Sequence, residues 1–229
     1  MISSNQLVQL STSRIFPYLL AFIVWSFFTV FNAVAEEPVS KTTERKSPLS
    51  LIKNTIDQVI QVNKRLSGED NLDQRRKELR AVIAPYFDFD EMAKRSLGAH
   101  WESINDLERR EFIDVFSELL ARTYLSRIDQ VTTEIVEYEG ERITPPKASV
   151  KTNINHKGDS FPIEYKFIDT DSSWKVYDVV IENIGLVANY RNEFAGIIRK
   201  EKFDGLMAKL KKKLDDKPTA ESAEDRDTA

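Results

Sequence analysis

The chain has 229 residues, 33 Lys and Arg against 37 Asp and Glu for a net charge of −4, and no cysteine. The acidic balance argues against nucleic acid as the main partner, and the missing thiols exclude disulfides and a lipid-modified amino-terminal cysteine.

Residues 1–14 are polar with Arg14 as their single charge, residues 15–31 are almost wholly apolar, and Ala33-Val34-Ala35 precedes Glu36-Glu37. That order reads as a secretory signal peptide, 1–35, cut after Ala35. An uncleaved membrane anchor is the alternative, because the apolar run nearly reaches bilayer length. Pro17 and the Ala-x-Ala site favour cleavage, and export without disulfides fits a bacterial periplasm. Removing these residues leaves 194, with 32 basic and 37 acidic side chains and a net charge of −5. One core and a single domain suit that length.

Residues 36–47 are charged and read as a flexible leader, and the folded domain is expected over 48–215. Ser47-Pro48 has the form of a helix cap with proline at the first helical position. Leu49, Ile52, Ile56, Val59 and Leu66 share one face of the helix, and Gly68 ends it. A second helix from Asp70 or Asn71 turns Leu72, Leu79, Val82 and Ile83 inward and is bent or ended by Pro85. Its Arg75, Arg76, Lys77 and Arg80 form a basic flank.

Asp88-x-x-Glu91 has capping-box spacing for a short helix that stops at Gly98, with Trp101 beyond it as a core anchor. The competing reading makes acids such as Asp88 and Asp90 a catalytic pair. Asn105 and Glu108 repeat the capping box at the head of the longest helical pattern, 105–128. Its stripe of Phe112, Val115, Phe116, Leu119, Leu120, Tyr124 and Ile128 suits a helix lying across a sheet.

From residue 131 the period falls to two. Four strands are expected, 131–138, 148–154, 161–167 and 174–181, with turns near Gly140, at 157–159 and at 170–173. The short connections predict an antiparallel meander with one wide apolar face. Trp174 to Ile181 is apolar enough to be buried on both faces. After a break at Asn183 and Gly185, Leu186, Tyr190, Phe194 and Ile197 recur at helical spacing. Phe203, Leu206, Met207, Leu210 and Leu214 suggest a further short helix, and 216–229 reads as a disordered tail. Asp178 is the odd member of its strand and is expected to accept hydrogen bonds from a backbone amide or from Arg191.

Neither His100, beside Trp101, nor His156, in a turn, belongs to a metal pair, and the scattered glycines make no phosphate loop. No cofactor or metal is expected, and the residues rise no further than a non-enzymatic binding domain.

The stretch from Trp174 to Phe194 resembles the signature of the MlaC, or toluene-tolerance, family. Phe87-Asp88-Phe89, Leu97-Gly98, Trp101, the 112–124 helix, Pro162-Ile163-Glu164-Tyr165 and Phe203-Asp204-Gly205-Leu206 extend the resemblance over nearly all the mature chain. At the junction the family often has glycine and then serine, where this chain has Asn183 and Gly185. The resemblance implies an α+β fold, a four-stranded antiparallel sheet packed by several helices around an apolar lipid cavity. It implies a monomeric periplasmic phospholipid-binding shuttle between the outer membrane and an inner-membrane ABC-type Mla complex, maintaining outer-membrane lipid asymmetry. Candidate lipid-binding residues are Tyr124, Val150, Thr152, Ile163, Tyr165, Phe167, Trp174, Val176, Leu186, Tyr190 and Phe194, each of which could equally be ordinary core. A carrier of another apolar lipid such as a hopanoid, a ligand-free periplasmic adaptor and a lipid hydrolase are the alternatives.

Overall fold

Ser47 starts the first helix as its neighbours foretell. Its hydroxyl accepts the Ser50 amide at 3.2 Å, and Pro48 follows at a position whose N–H would find no partner in the helix. The computed structural model describes residues 46–129, 131, 136–156, 158–171 and 173–216. The expected signal segment, nearly all of the leader and the tail beyond residue 216 lie outside the described residues.

The elements in chain order are α1 (Pro48–Arg65), α2 (Leu72–Ile83), α3 (Phe89–Leu97), α4 (Asp106–Ile128), β1 (Val136–Thr144), β2 (Lys147–His156), β3 (Asp159–Asp169), β4 (Trp174–Ile181), β5 (Ile184–Gly185) and α5 (Leu186–Asp215). Among the described residues no helix is long and apolar enough to cross a membrane. Asp88 caps α3, its Oδ1 accepting the Glu91 amide at 2.9 Å. Only this half of the capping box forms, because the Asp88 amide donates to the Val176 carbonyl at 2.8 Å and Glu91 turns to Arg95. At α4 the box is complete: Asn105 Oδ1 accepts the Glu108 amide at 3.1 Å, and Glu108 Oε2 accepts the Asn105 amide at 2.8 Å.

The fold is α+β, with the expected antiparallel meander, but the sheet has five strands in the order β1-β2-β3-β4-β5 rather than four. The extra strand is the two-residue β5, folded back on β4 through Glu182 and Asn183 at φ 50° and 68°. Both positive φ values belong to the tight turn whose twist matches a hairpin. The first strand also differs. Part of its expected start, 132–135, lies outside the described residues, and it runs past Gly140 to Thr144. Gly140, at φ 132°, sits where the register shifts, so it makes a bulge rather than a turn. The chain reverses instead at Pro145–Pro146, joined by a cis peptide. The bulge places Tyr138 opposite Thr152 and Glu141 opposite Val150, which puts both on the same face of the sheet.

β4 is buried on both faces, as its largely apolar run predicts. Trp174, Val176 and Val179 join the core between the sheet and α1, whereas Tyr177 and Asp178 are buried on the reverse side. A register shift between Lys166 and Phe167 lets Tyr177 fall out of strict alternation.

The helix that lies on β1 and β2 is α1. The sequence pointed to α4 for this role, but α4 packs chiefly against α3, α5 and α2. Its aromatic residues explain the choice, because they interlock with those of α5. The Phe112 and Phe194 rings meet edge-on at 5.8 Å, as do Phe116 and Tyr190 at 5.2 Å. The far end of α4 contributes Leu125 and Ile128 to a third cluster with Val59, Val62 and Leu66 of the α1 segment and Leu79 of α2.

The two helical patterns read after the sheet are one run, Leu186–Asp215, broken at Lys202, whose φ and ψ are 62° and −177°. Val187, Tyr190, Phe194 and Ile198 form the buried stripe before the break, and Leu206, Met207 and Leu210 the one after it. An unbroken helix would carry the first stripe onward to Glu201 and Gly205. The break rotates the second half so that both stripes meet the same core.

Candidate functional site

The inward face of the sheet is built by alternation along β2 and β3. Ala148, Val150, Thr152 and Ile154 point one way from β2; Ile163, Tyr165 and Phe167 stand beside them on β3. Against this face α1 sets Leu51 and Ile52, with Leu49 and Ile56 at its margins. Val150, Phe167 and Val176 are fully covered, but Tyr138, Ile163, Tyr165, Ile181 and Leu186 remain partly exposed around them. The interface of α1 with the sheet is therefore an apolar compartment with an accessible margin.

The predicted site residues divide between these two regions. Val150, Ile163, Tyr165, Phe167, Trp174, Val176 and Leu186 belong to the sheet-side cluster, and Thr152 lies buried on the same inward face. Tyr190 and Phe194 belong instead to the helical core, with Tyr124 half-buried against it. Phe194 is 0 % exposed and packs on Phe112, Phe116 and Tyr190 at centroid distances of 5.8, 5.7 and 5.4 Å. At the corner formed by β4 and α5, Leu186 thus packs with Trp174 and Val176, whereas Tyr190 and Phe194 turn to the helical core. β4, two-sided, serves both clusters at once. Sequence reasoning also passed over the α1 wall and Tyr138. The stripe of Leu49, Ile52 and Ile56 was visible as an inward face, but nothing local says which face of which sheet it meets.

Two ends hold α1 in place. At its start Glu141 Oε2 accepts the Leu49 amide at 2.8 Å. Near its end Asn63 donates to the carbonyl of Ile128 at 2.9 Å and to that of Val131 at 3.3 Å. Lys53 sets its ammonium 5.2 Å from the centroid of the Tyr138 ring at the margin of the compartment.

Polar chemistry within the compartment is sparse. Burial pushes the Tyr165 phenol above its ordinary value of 10.0, with the neighbouring Thr152 hydroxyl opposing the rise. On the opposite side of β4, Asp178 Oδ1 accepts the Val187 amide at 3.1 Å, and Oδ2 lies 3.8 Å from Lys166 Nζ. A backbone amide was one of its two expected partners. The other, Arg191, donates to the Arg95 carbonyl at 2.7 Å instead. Asp178 is thus the anion at the start of α5, where helix amides need an acceptor. Gly185 leaves room for it, since a Cβ there would stand 3.2 Å from Asp178 Oδ2.

An open cleft of about 670 Å³ with a mixed lining lies elsewhere, between Ile104, Ala195, Ile198 and Phe203 on the apolar side and His100, Ser103, Glu108, Arg199, Lys202 and Asp204 on the polar one. Four of these side chains are charged, whereas the sheet-side compartment is lined almost wholly by apolar and aromatic side chains and is the better match for long acyl chains. Asp88 caps a helix and Asp90 is exposed at its first turn, an arrangement that accounts for both acids structurally. Among the described residues no group of three or more histidines and carboxylates is arranged to hold a metal. Trp101 packs half-buried against the helical core, with the Arg109 guanidinium 5.3 Å from its ring centroid.

The chain is 22% identical over 201 residues to the intermembrane phospholipid transport system binding protein MlaC of Haemophilus influenzae, covering 84% of this chain and 89% of that protein. In structure it is similar to a phospholipid-binding protein from Ralstonia solanacearum, solved in complex with a phospholipid. The TM-score is 0.65 and the identity 25%, with 73% of this chain and 96% of that one covered. The model of the MlaC protein family matches residues 53–212, a span running from α1 into the last turns of α5. This chain belongs to the MlaC family.

Proposed function

We propose that this protein is a periplasmic phospholipid carrier that takes acyl chains between α1 and the inward face of the sheet. The partly exposed apolar margin of that compartment carries the reading. Family membership and the two relatives, one named for phospholipid transport and one solved with a phospholipid, support it. The apolar segment and Ala-x-Ala site in residues 1–35 support export.

Physical chemistry explains what such a compartment achieves. At roughly 0.8 kcal/mol per methylene, two acyl chains of about fifteen methylenes each would cost on the order of 24 kcal/mol to expose to water. Moving them from a bilayer to an apolar protein interior nearly cancels that cost. The carrier lowers the barrier to transfer without setting its direction, which comes from its partners. Those partners are an outer-membrane complex and an inner-membrane ABC-type complex of the Mla kind, and the biological result is outer-membrane lipid asymmetry. The lipid-contacting set is the sheet-side group: Val150, Thr152, Ile163, Tyr165, Phe167, Trp174, Val176 and Leu186, joined by the α1 wall. Chain entry requires α1 to shift relative to β1 and β2, while the helical core of α3, α4 and α5 stays packed. The domain spanning 48–215 works as a monomer.

Organic extraction of the gently purified protein, followed by mass spectrometry, tests the reading. About one phospholipid per chain is expected. A hopanoid in its place would reassign the cargo, and no lipid at all would favour an adaptor.

A further inference from the structure

Thr152 is the polar exception within the sheet-side compartment. It sits on β2 between Val150 and Ile154, opposite Tyr138 on one side and Ile163 on the other. It is 1 % exposed, and its Oγ1 has no hydrogen-bond partner. Buried hydroxyls are ordinarily paired, and an unpaired one is costly, so a position that served packing alone would be better filled by valine.

Tyr165 stands diagonally across from Thr152, since it pairs with Val150 while Thr152 pairs with Ile163. The two side chains are close enough for the Thr152 hydroxyl to temper the effect of burial on the Tyr165 phenol, though outside regular hydrogen-bond geometry. Both groups are neutral and both can donate. Charge is kept at the margin, where the exposed Lys53 lies over the Tyr138 ring and Asp57 acts on the same phenol. A pair of neutral donors on the inward face, with charge confined to the margin, suits an uncharged acceptor better than an anion.

We propose that Thr152 and Tyr165 form a hydroxyl subsite for an uncharged carbonyl oxygen, the acyl-ester carbonyl that joins a fatty chain to glycerol. The inference rests on the reading that the compartment takes phospholipid, and it adds a preference to it. The site distinguishes ester-linked from ether-linked lipids that share a headgroup and chain length, because the ether lacks the carbonyl acceptor. One neutral hydrogen bond made or missed corresponds to about three- to tenfold in affinity.

The probe is vesicles holding equal amounts of diester and diether phosphatidylethanolamine with the same sixteen-carbon chains. Delipidated protein is incubated with them, re-isolated and weighed by native mass spectrometry. The ratio of the two loaded species is the readout, which does not depend on how much total lipid is taken up. Wild type is expected to carry the diester in about three- to tenfold excess. Thr152→Val and Tyr165→Phe are each expected to bring the ratio towards one, while Thr152→Ser keeps the excess. Equal loading by wild type would overturn the subsite, as would an unchanged ratio in both hydroxyl-free variants. Loading of neither lipid by wild type would contradict the phospholipid reading itself and remove the inference with it.

Discussion

The carboxylate of Glu141 accepts the backbone amide of Leu49 at 2.8 Å across 92 residues of sequence. Helix α1 has no acid in its own first turn, so this strand residue supplies the negative partner its amino terminus lacks. The Gly140 bulge makes the contact available by turning Glu141 to the α1 side of the sheet. Glu141→Ala is expected to destabilise the fold by about 1 kcal/mol, the usual cost of a lost cap. The larger effect is expected in α1 itself, as faster amide hydrogen exchange over its first turns and faster release of bound lipid. Unchanged exchange in α1 would separate this contact from any gating role.

Asp178 joins β4 to α5. Its carboxylate accepts the Val187 amide and faces Lys166, and it is only 7 % exposed. Asp178→Ala leaves a buried amide without an acceptor and should lower stability by about 1–3 kcal/mol. Asp178→Asn keeps an acceptor oxygen and should lose less. Urea denaturation midpoints of the three proteins give the order, and equal losses for both variants would show that charge rather than hydrogen bonding holds the corner.

Lys202 takes a backbone conformation, φ 62° and ψ −177°, that glycine adopts readily and other residues resist. Replacing it with glycine should therefore stabilise the protein, by about 1 kcal/mol, despite glycine's greater freedom in the unfolded chain. Gly205 shows the opposite constraint. A Cβ there would approach Glu201 Cβ to 2.4 Å, so Gly205→Ala is expected to destabilise the break. Opposite shifts in thermal midpoint for the two variants would confirm that the bend is built into the chain.

Alkaline stability should report on the buried tyrosines on both faces of the sheet. Burial raises the phenols of Tyr165, Tyr138 and Tyr177 above 10.0. The folded state therefore holds these protons more tightly than the unfolded state does. Their contribution is complete below pH 10 and is lost as pH rises through the raised folded values. Tyr165→Phe should flatten the decline in unfolding free energy between pH 9 and 11, measured by denaturant titration at each pH. An identical decline in the variant would mean that Tyr165 does not titrate with unfolding.

Much of the fold was legible because its signals are local. Ser47, Asp88 and Asn105 cap helices where their spacing says they should, and the largely apolar run of β4 foretold burial on both faces. What escaped was set by partners distant in sequence. Gly140 carries the same signal for a bulge as for a turn, and only pairing with β2 decides between them. Tyr190 and Phe194 have the composition of a lipid-cavity wall, yet their rings fit those of Phe112 and Phe116, and an aromatic stripe does not announce its partner. The α1 wall was missed for the same reason, since Leu51 and Ile52 find the sheet only after the chain has folded.

The most direct test places the acyl chains. A phospholipid carrying a photoreactive diazirine in its acyl chain is loaded onto the protein, irradiated, and the labelled peptides are sequenced. Label on the sheet face and α1, at Ile163, Tyr165, Phe167 and Ile56 or their immediate neighbours, is the predicted result. Label concentrated around Tyr190 and Phe194, or in the open cleft beside His100 and Arg199, would contradict it.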